Sequence, residues 1–483
     1  MELISEAYLG KLIEFLNLFV SHHIPRLLTD PSFPIDKFFL LFFKFTFMQP
    51  TTEGLMSCLQ VWSIFLQFIV SKAEEDPTSL PFEEGIIAVL SELLKKIQFT
   101  TNTEMLLELD DEREVDGKDT ELGLFMKRGL EVISKIAELY PQEVSRMSNE
   151  RFSACADSFG RIFMAYKQDS NSLSGNMKEE GISVLQDMKT YVKVFGILGN
   201  YFVTNFGKCF TEGHKMLLQI EEILQYVQES ALSSHSWPLA EISSQFHLEL
   251  FSTMRTYMFW LSRFEGELRA MKSGDQNGKA SDELVKQIDS HVMTTLLLCR
   301  ECILSTNTNI DVRLAATQTL TSLVYTVRPR RLLVAAEMEE FLSVIGSVWK
   351  DKEKHPSELI VSVCDCACQM YLLPLPGIAL ENQQWEERKS RLAAFLRPFL
   401  ATLFEFAALP SFGEDPLVHN DPIVIQCIAT IYTMLSRIMK TISVEGTNAK
   451  YVFFEVAIKG IYSMTLRSFF GVLHVVIRPP EFH

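Results

Sequence analysis

The stretch FFLLFFKFTFMQPTTEGLMSCLQVWSIFLQFIV, residues 38–70, is the most apolar in the chain. It could be a membrane segment or a helical core. A spanning helix needs about 20 continuous apolar residues. The first run, Phe38–Met48, has 11 residues and carries Lys44, and the second, Leu55–Val70, has 16 and carries Ser57, Gln60, Ser63 and Gln67. Pro50 and Gly54 punctuate the gap between them. The polar residues of the second run are spaced three or four apart, one narrow stripe of a helix. Leu55, Cys58, Leu59, Trp62, Leu66 and Ile69 fill the opposite face. The pattern predicts two nearly buried helices, antiparallel, with Trp62 in the core between repeats.

The rest of the chain suits that reading. Its 483 residues are 47% hydrophobic with 36 Phe, enough to bury a large core. Acidic residues outnumber basic ones, 61 to 45, for a net charge of −16. That disfavours nucleic acid and anionic membrane and suits basic protein partners. Met1 leads directly into the amphipathic helix ELISEAYLGKLIEFLNLFVSHHIP, and no signal segment is expected. The nine cysteines sit inside apolar helical patterns, as free core thiols do in a reducing compartment. A cytoplasmic or nuclear protein is expected.

Helical periodicity recurs almost everywhere. TELGLFMKRGLEVISKIAELYPQEV puts Leu122, Phe125, Val132, Ile133, Ile136 and Tyr140 on one side, and Pro141 is expected to stop that helix. Similar helices are expected near 150–167, 180–204, 206–231, 237–272, 284–305, 310–327, 331–349, 357–373, 385–408, 422–442 and 451–476. There is no heptad discipline, and the chain is too long for one bundle. Stacked helix pairs remain.

Residues 307–329, NTNIDVRLAATQTLTSLVYTVRP, make this sharper. They resemble the second helix of a HEAT repeat. Asp311, Val312 and Arg313 open it, Ala315 and Ala316 allow close approach, and Leu320, Leu323 and Val327 follow at helical spacing. The Asp and Arg are expected to pair between repeats in a polar ladder. The expected fold is therefore all-α, an α-solenoid of HEAT-type repeats, an α-α superhelix. At about 40–47 residues each, roughly ten repeats fit. The parsing is HEAT-like repeats over 1–100, an acidic loop over 101–121, and repeats over 122–408 with a flexible linker at 272–283. A loop, final helices and an atypical tail occupy 409–483.

Tests for catalytic chemistry come back empty. Cys364 and Cys368 share a helix face while Cys366 points away, short of the four convergent ligands zinc needs, and Cys299 and Cys302 lie in an apolar helix rather than after a strand. Core thiols are the expectation for both. Gly278–Lys279 lacks the spacing and the following Ser or Thr of a phosphate loop. His22 and His23, before Pro25, read as a helix end. No catalytic, cofactor or metal residues are assigned. One feature suits a partner: Asp110, Asp111, Glu112, Glu114, Asp116, Asp119 and Glu121 crowd together with only Arg113 and Lys118 against them. They are a candidate contact for a basic protein surface; the alternative is a solvated insertion. In LPLPGIALENQQW, residues 373–385, Pro374 and Pro376 hold the chain extended, Gly377 permits a turn, and Trp385 opens the next helix. An elbow between helix pairs is expected there, with a cargo contact through Gln383, Gln384 and Trp385 as the alternative.

The segment FKFTFMQPTTEGLMSCLQVWSIFLQFI resembles exportins, nuclear transport receptors of the importin-β superfamily. So do ELDDE before a charged loop, LEVISKIAELYP, TVRPRRLL and, above all, LLPLPGIALENQQWEERKSRL at 372–392. Within that family the blocks most resemble the receptor that carries actin bound to profilin out of the nucleus. The resemblance implies shuttling between nucleus and cytoplasm, protein cargo, Ran-GTP as partner and no enzymatic activity. It implies that the acidic loop helps couple Ran to cargo. The chain opens on what looks like mid-array, so the N-terminal Ran-binding arch is expected to be missing and Ran-GTP binding to be weak. The alternative is a HEAT-type scaffold unrelated to transport.

Overall fold

A computed structural model describes residues 6–27, 32–75, 82–109, 120–168, 173–230, 236–274, 278–328 and 355–372, with isolated positions at 232, 340 and between 383 and 436. Among the described residues every regular element is a helix. The chain divides into two compact units, Met1–Trp260 and Leu261–His483. The first holds α1 (Glu6–Leu27), α2 (Ile35–Phe47), α3 (Thr52–Glu75), α4 (Glu83–Lys96), α5 (Phe99–Leu107), α6 (Glu121–Leu139), α7 (Pro141–Gln168), α8 (Gly175–Thr204) and α9 (Phe210–Glu229). Helix α10 (Ala240–Gly274) begins in the first unit and ends in the second. The second unit continues with α11 (Gly278–Leu304), α12 (Ile310–Thr326) and α13 (Ser357–Leu372).

Helices α2 and α3 are the two apolar runs of the opening stretch. They are antiparallel: Phe42 stacks on Trp62 at 4.7 Å, and Phe39, one turn back, meets Phe65, one turn on, at 5.8 Å. Trp62 has no solvent exposure, and its indole N–H donates to Thr46 Oγ1 at 2.9 Å. Leu55, Cys58, Leu59, Leu66 and Ile69 are buried with it, while Gln60 and Gln67 are exposed. By length and composition α3 could cross a bilayer. Its buried face packs instead on α1, α2 and α6.

From there each helix packs on partners close to it in sequence: α4 on α5, α6 and α7, and α8 on α5, α6, α7 and α9. This local pairing is how repeat stacks are built. Helix α8 closes tightly on the first-unit part of α10. A Cβ at Gly199 would lie 2.7 Å from the Tyr257 ring, and the Tyr257 hydroxyl donates to Phe195 O at 3.2 Å. Together with the buried apolar faces, this makes the chain an all-α protein of HEAT-type helical repeats.

Several boundaries differ from expectation. Pro141 ends α6 and also opens α7, which was expected nine residues later. Its missing N–H is harmless at a first helical position, where no intrahelical acceptor exists. Helix α1 runs through Pro25 to Leu27, so His22 and His23 lie within it as exposed side chains rather than at its end. Helix α5 reaches Leu107, inside the span read as acidic loop. Helices α10 and α11 enter the expected linker from both sides, leaving only 275–277 outside the description.

In the second unit the HEAT-like helix is α12. Val312, Ala316, Leu320, Leu323 and Val327 are buried, and Asn309 Oδ1 caps the helix by accepting from Asp311 N at 2.8 Å. The expected polar ladder takes a different form. Arg313 is buried, donates to Ile303 O at 3.0 Å and bonds His355 Nδ1. A buried guanidinium needs acceptors close at hand, and here a helix-end carbonyl and an imidazole supply them. The expected helices at 331–349 and 451–476, the loop at 409–422, and Pro374, Pro376, Gly377 and Trp385 lie outside the described residues, save isolated positions.

Candidate partner-binding site

Of the seven acidic residues singled out in the sequence, the described residues include Glu121 alone. It occupies the first turn of α6, where negative charge is favoured by the helix dipole. Thr120 caps that turn, its Oγ1 accepting from Gly123 N at 3.0 Å. Asp110, Asp111, Glu112, Glu114, Asp116 and Asp119 lie outside the description.

Directly after Glu121 begins the wall of a groove of about 1040 Å³ formed by α6, α8 and the start of α10. Helix α6 contributes Leu122, Met126 and Leu130, one turn apart, with Lys127 and Glu131 beside them. Helix α8 contributes Lys178, Ile182, Gln186, Lys189, Lys193 and Ile197, again at helical spacing. Helix α10 contributes Glu241, Ile242 and Gln245. Lys127 and Lys178 are exposed at the rim. Lys189 and Lys193 are half-buried, with Lys189 Nζ donating to Gln245 Oε1 at 2.9 Å and Lys193 Nζ lying 3.9 Å from Glu249. Glu131 is already engaged by Arg128 at 3.1 Å and by the Ser63 hydroxyl at 2.9 Å. The groove thus has an apolar floor and a column of ammonium groups. These lysines escaped the sequence reading because they are spread over two helices. The available signal was the four-residue spacing on α8.

Beneath the groove, α8 is pinned to α5 by Asp187, which is fully buried. Its carboxylate accepts from Phe99 N, from Thr100 N at 3.1 Å and from Thr100 Oγ1 at 2.7 Å. A residue 87 positions distant therefore caps the start of α5. Burial pushes the carboxyl up to about 6, against the downward pull of these donors. The only local sign of this residue was a charge inside the apolar run VLQDMKTYVKVF.

Among the described residues the thiols are all poor nucleophiles. Cys58, Cys155, Cys209, Cys299, Cys302, Cys364, Cys366 and Cys368 are all buried and free. Burial holds Cys58, Cys155, Cys302 and Cys366 up at about 12, where the reactive thiolate is scarce. Among the described residues no cluster of His, Cys, Asp and Glu could hold a metal ion. The arrangement is one of surfaces.

Among the described residues, stacked helix pairs and a lysine-lined groove fit a HEAT-type repeat protein. No family model matches the chain. Along nearly its whole length it is similar to exportin-6. It is 25% identical to exportin-6 of Dictyostelium discoideum over 479 residues, 98% of this chain and 43% of that protein. It is 26% identical to exportin-6-A of Xenopus laevis over 485 residues, and 27% identical to exportin-6 of Mus musculus over 482, each alignment covering 94% of this chain and 40% of the relative. The chain is exportin-6-like and spans about 40% of the length of these relatives.

Proposed function

We propose that this chain is part of a nuclear export receptor, a karyopherin that shuttles between nucleus and cytoplasm and binds protein cargo together with Ran-GTP. The observation that carries the reading is similarity to exportin-6 maintained over 94–98% of the chain, on a fold of HEAT-type repeats. The resemblance favours actin bound to profilin as cargo. Such a receptor catalyses nothing itself; GTP hydrolysis on Ran releases the cargo. The acidic stretch ending at Glu121 is the proposed contact for a basic surface of Ran or cargo. Neutralising Asp110, Asp111, Glu112, Glu114, Asp116, Asp119 and Glu121 together is expected to weaken binding and flatten its salt dependence, because exposed charges are screened over about 8 Å at physiological salt. Binding unchanged at low and high salt would leave a solvated insertion.

The competing reading is a helical-repeat scaffold outside transport. Retention of Ran on the immobilised protein separates the two. A receptor holds Ran in its GTP form in preference to its GDP form; a scaffold holds both equally or neither.

A further inference from the structure

We infer that the outer face of the α1–α2 hairpin is a self-matching contact through which two copies of this chain pair, antiparallel, about a two-fold axis. This does not depend on the export reading. The first argument is area. On α1, Tyr8, Phe15 and Leu18 recur at helical spacing and are 59%, 60% and 61% exposed. The face continues onto α2: Phe15 stacks on Phe19 at 6.1 Å, and Phe19 meets Phe38 of α2 at 5.5 Å. Leu41, one turn on from Phe38, and Met48, two turns further, are 57% and 61% exposed. These five side chains leave on the order of 500 Å² of apolar surface open, within the upper range for the largest patch on a monomer. With a polar rim, such a face approaches the roughly 800 Å² per partner of a stable interface.

The second argument is shape. Along the outer face of α1 the small residues Ala7 and Gly10 come first, and the large Phe15 and Leu18 follow. A Cβ added at Gly10 would meet nothing within 4 Å. An antiparallel copy, with the axis at the level of Leu12 and Ile13, sets each Leu18 over the partner's Ala7. It sets each Phe15 over the space at the partner's Gly10, beside the partner's Tyr8. Only the same face of a second copy supplies this match twice, and an isologous contact closes at two chains. The third argument is charge. Lys11 and Glu14, at the centre of the stripe, already pair with each other at 2.8 Å, so the contact strands neither. The opposing force is the −16 carried by each chain, and salt, by screening it, tightens the contact.

The test is sedimentation of the full chain from nanomolar to tens-of-micromolar concentration. A reversible step from one to two chain masses is expected, moving to lower concentration as salt is raised. Phe15→Glu with Leu18→Glu places two carboxylates per chain in the contact and is expected to weaken it about a hundredfold or more. The same change at the exposed Met164 and Tyr226, on α7 and α9, is expected to alter it less than about twofold. If the first pair melts early, Ala7→Trp repeats the test by filling the seat of the partner's Leu18. Geometry is read with a short bismaleimide. Chains carrying Ala7→Cys and chains carrying Leu18→Cys are expected to crosslink when mixed, above the background of the unsubstituted chain. Neither is expected to crosslink with itself, because like positions lie about 16 Å apart along the helices. One chain mass throughout, or association that continues past two, would overturn the proposal. So would equal losses from both Glu pairs, or crosslinking of either substituted chain with itself. A monomer that binds phosphatidylcholine vesicles through this face, or whose Leu18→Cys thiol resists maleimide, would show the face taken by lipid or by another part of this chain, and the proposed occupant wrong.

Discussion

Trp62→Ala is expected to lower the melting temperature by about 10 °C. Truncating a fully buried Trp typically costs about 3–5 kcal/mol, through lost transfer energy and the cavity left behind. In a folding unit of this size each kcal/mol shifts the midpoint by about 2–4 °C. Trp62 sits at the upper end of that range for reasons visible around it. Its ring lies 5.0 Å from Phe39, 4.7 Å from Phe42 and 5.9 Å from Phe65, so its removal strips three aromatic neighbours at once. It also takes away the N–H that Thr46 Oγ1 accepts in a buried site. Trp62→Phe keeps most of the packing and loses only that donor, and is expected to cost about 1–2 kcal/mol. A melting curve for Trp62→Ala within a degree or two of wild type would mean that α2 and α3 do not share this core.

Asp187→Ala is expected to have the second largest effect, about 2–3 kcal/mol. It leaves the buried Phe99 N and the part-buried Thr100 N without their acceptor, and an unsatisfied buried donor costs about 1–3 kcal/mol. Titration gives an independent signature. The folded carboxyl titrates near 6, above its unfolded value near 4. Between those values the folded state holds more protons than the unfolded state, so this group's contribution to stability declines as pH rises from about 4 to about 6. Asp187→Asn cannot titrate and lacks that decline. The difference in melting temperature between wild type and Asp187→Asn should therefore move against wild type across this interval. Parallel curves would show that the carboxyl is not held up by burial.

These two residues mark what the sequence could and could not disclose. Trp62 was legible because its neighbours on α3 recur at helical spacing and the two apolar runs are joined by a short, punctuated turn. The faces of α6 and α12 were legible for the same reason: Phe125, Val132, Ile133 and Ile136, or Val312, Ala316 and Leu320, sort themselves by period alone. Asp187 was not, because its partners are backbone groups on another helix and no periodicity encodes them. Arg313 was read as part of an ion-pair ladder, yet it bonds a carbonyl and His355, a choice decided by which elements pack beside it. Pro141 was read only as a stop, although a proline that cannot continue one helix can open the next. The groove lysines are ordinary surface residues in sequence and form a column only when α6 and α8 lie side by side.

In the proposed function this chain belongs to a receptor in which cargo and Ran-GTP bind as coupled partners. Linkage tests it most directly. Two sites that communicate share one coupling free energy, typically worth 5–150-fold in affinity and the same in both directions. The measurement is the affinity of the actin–profilin complex for the protein with and without saturating Ran-GTP, and of Ran-GTP with and without saturating actin–profilin. Each ligand is expected to tighten the other by the same factor, and Ran-GDP to have no such effect. Cargo affinity that is indifferent to Ran-GTP would contradict it.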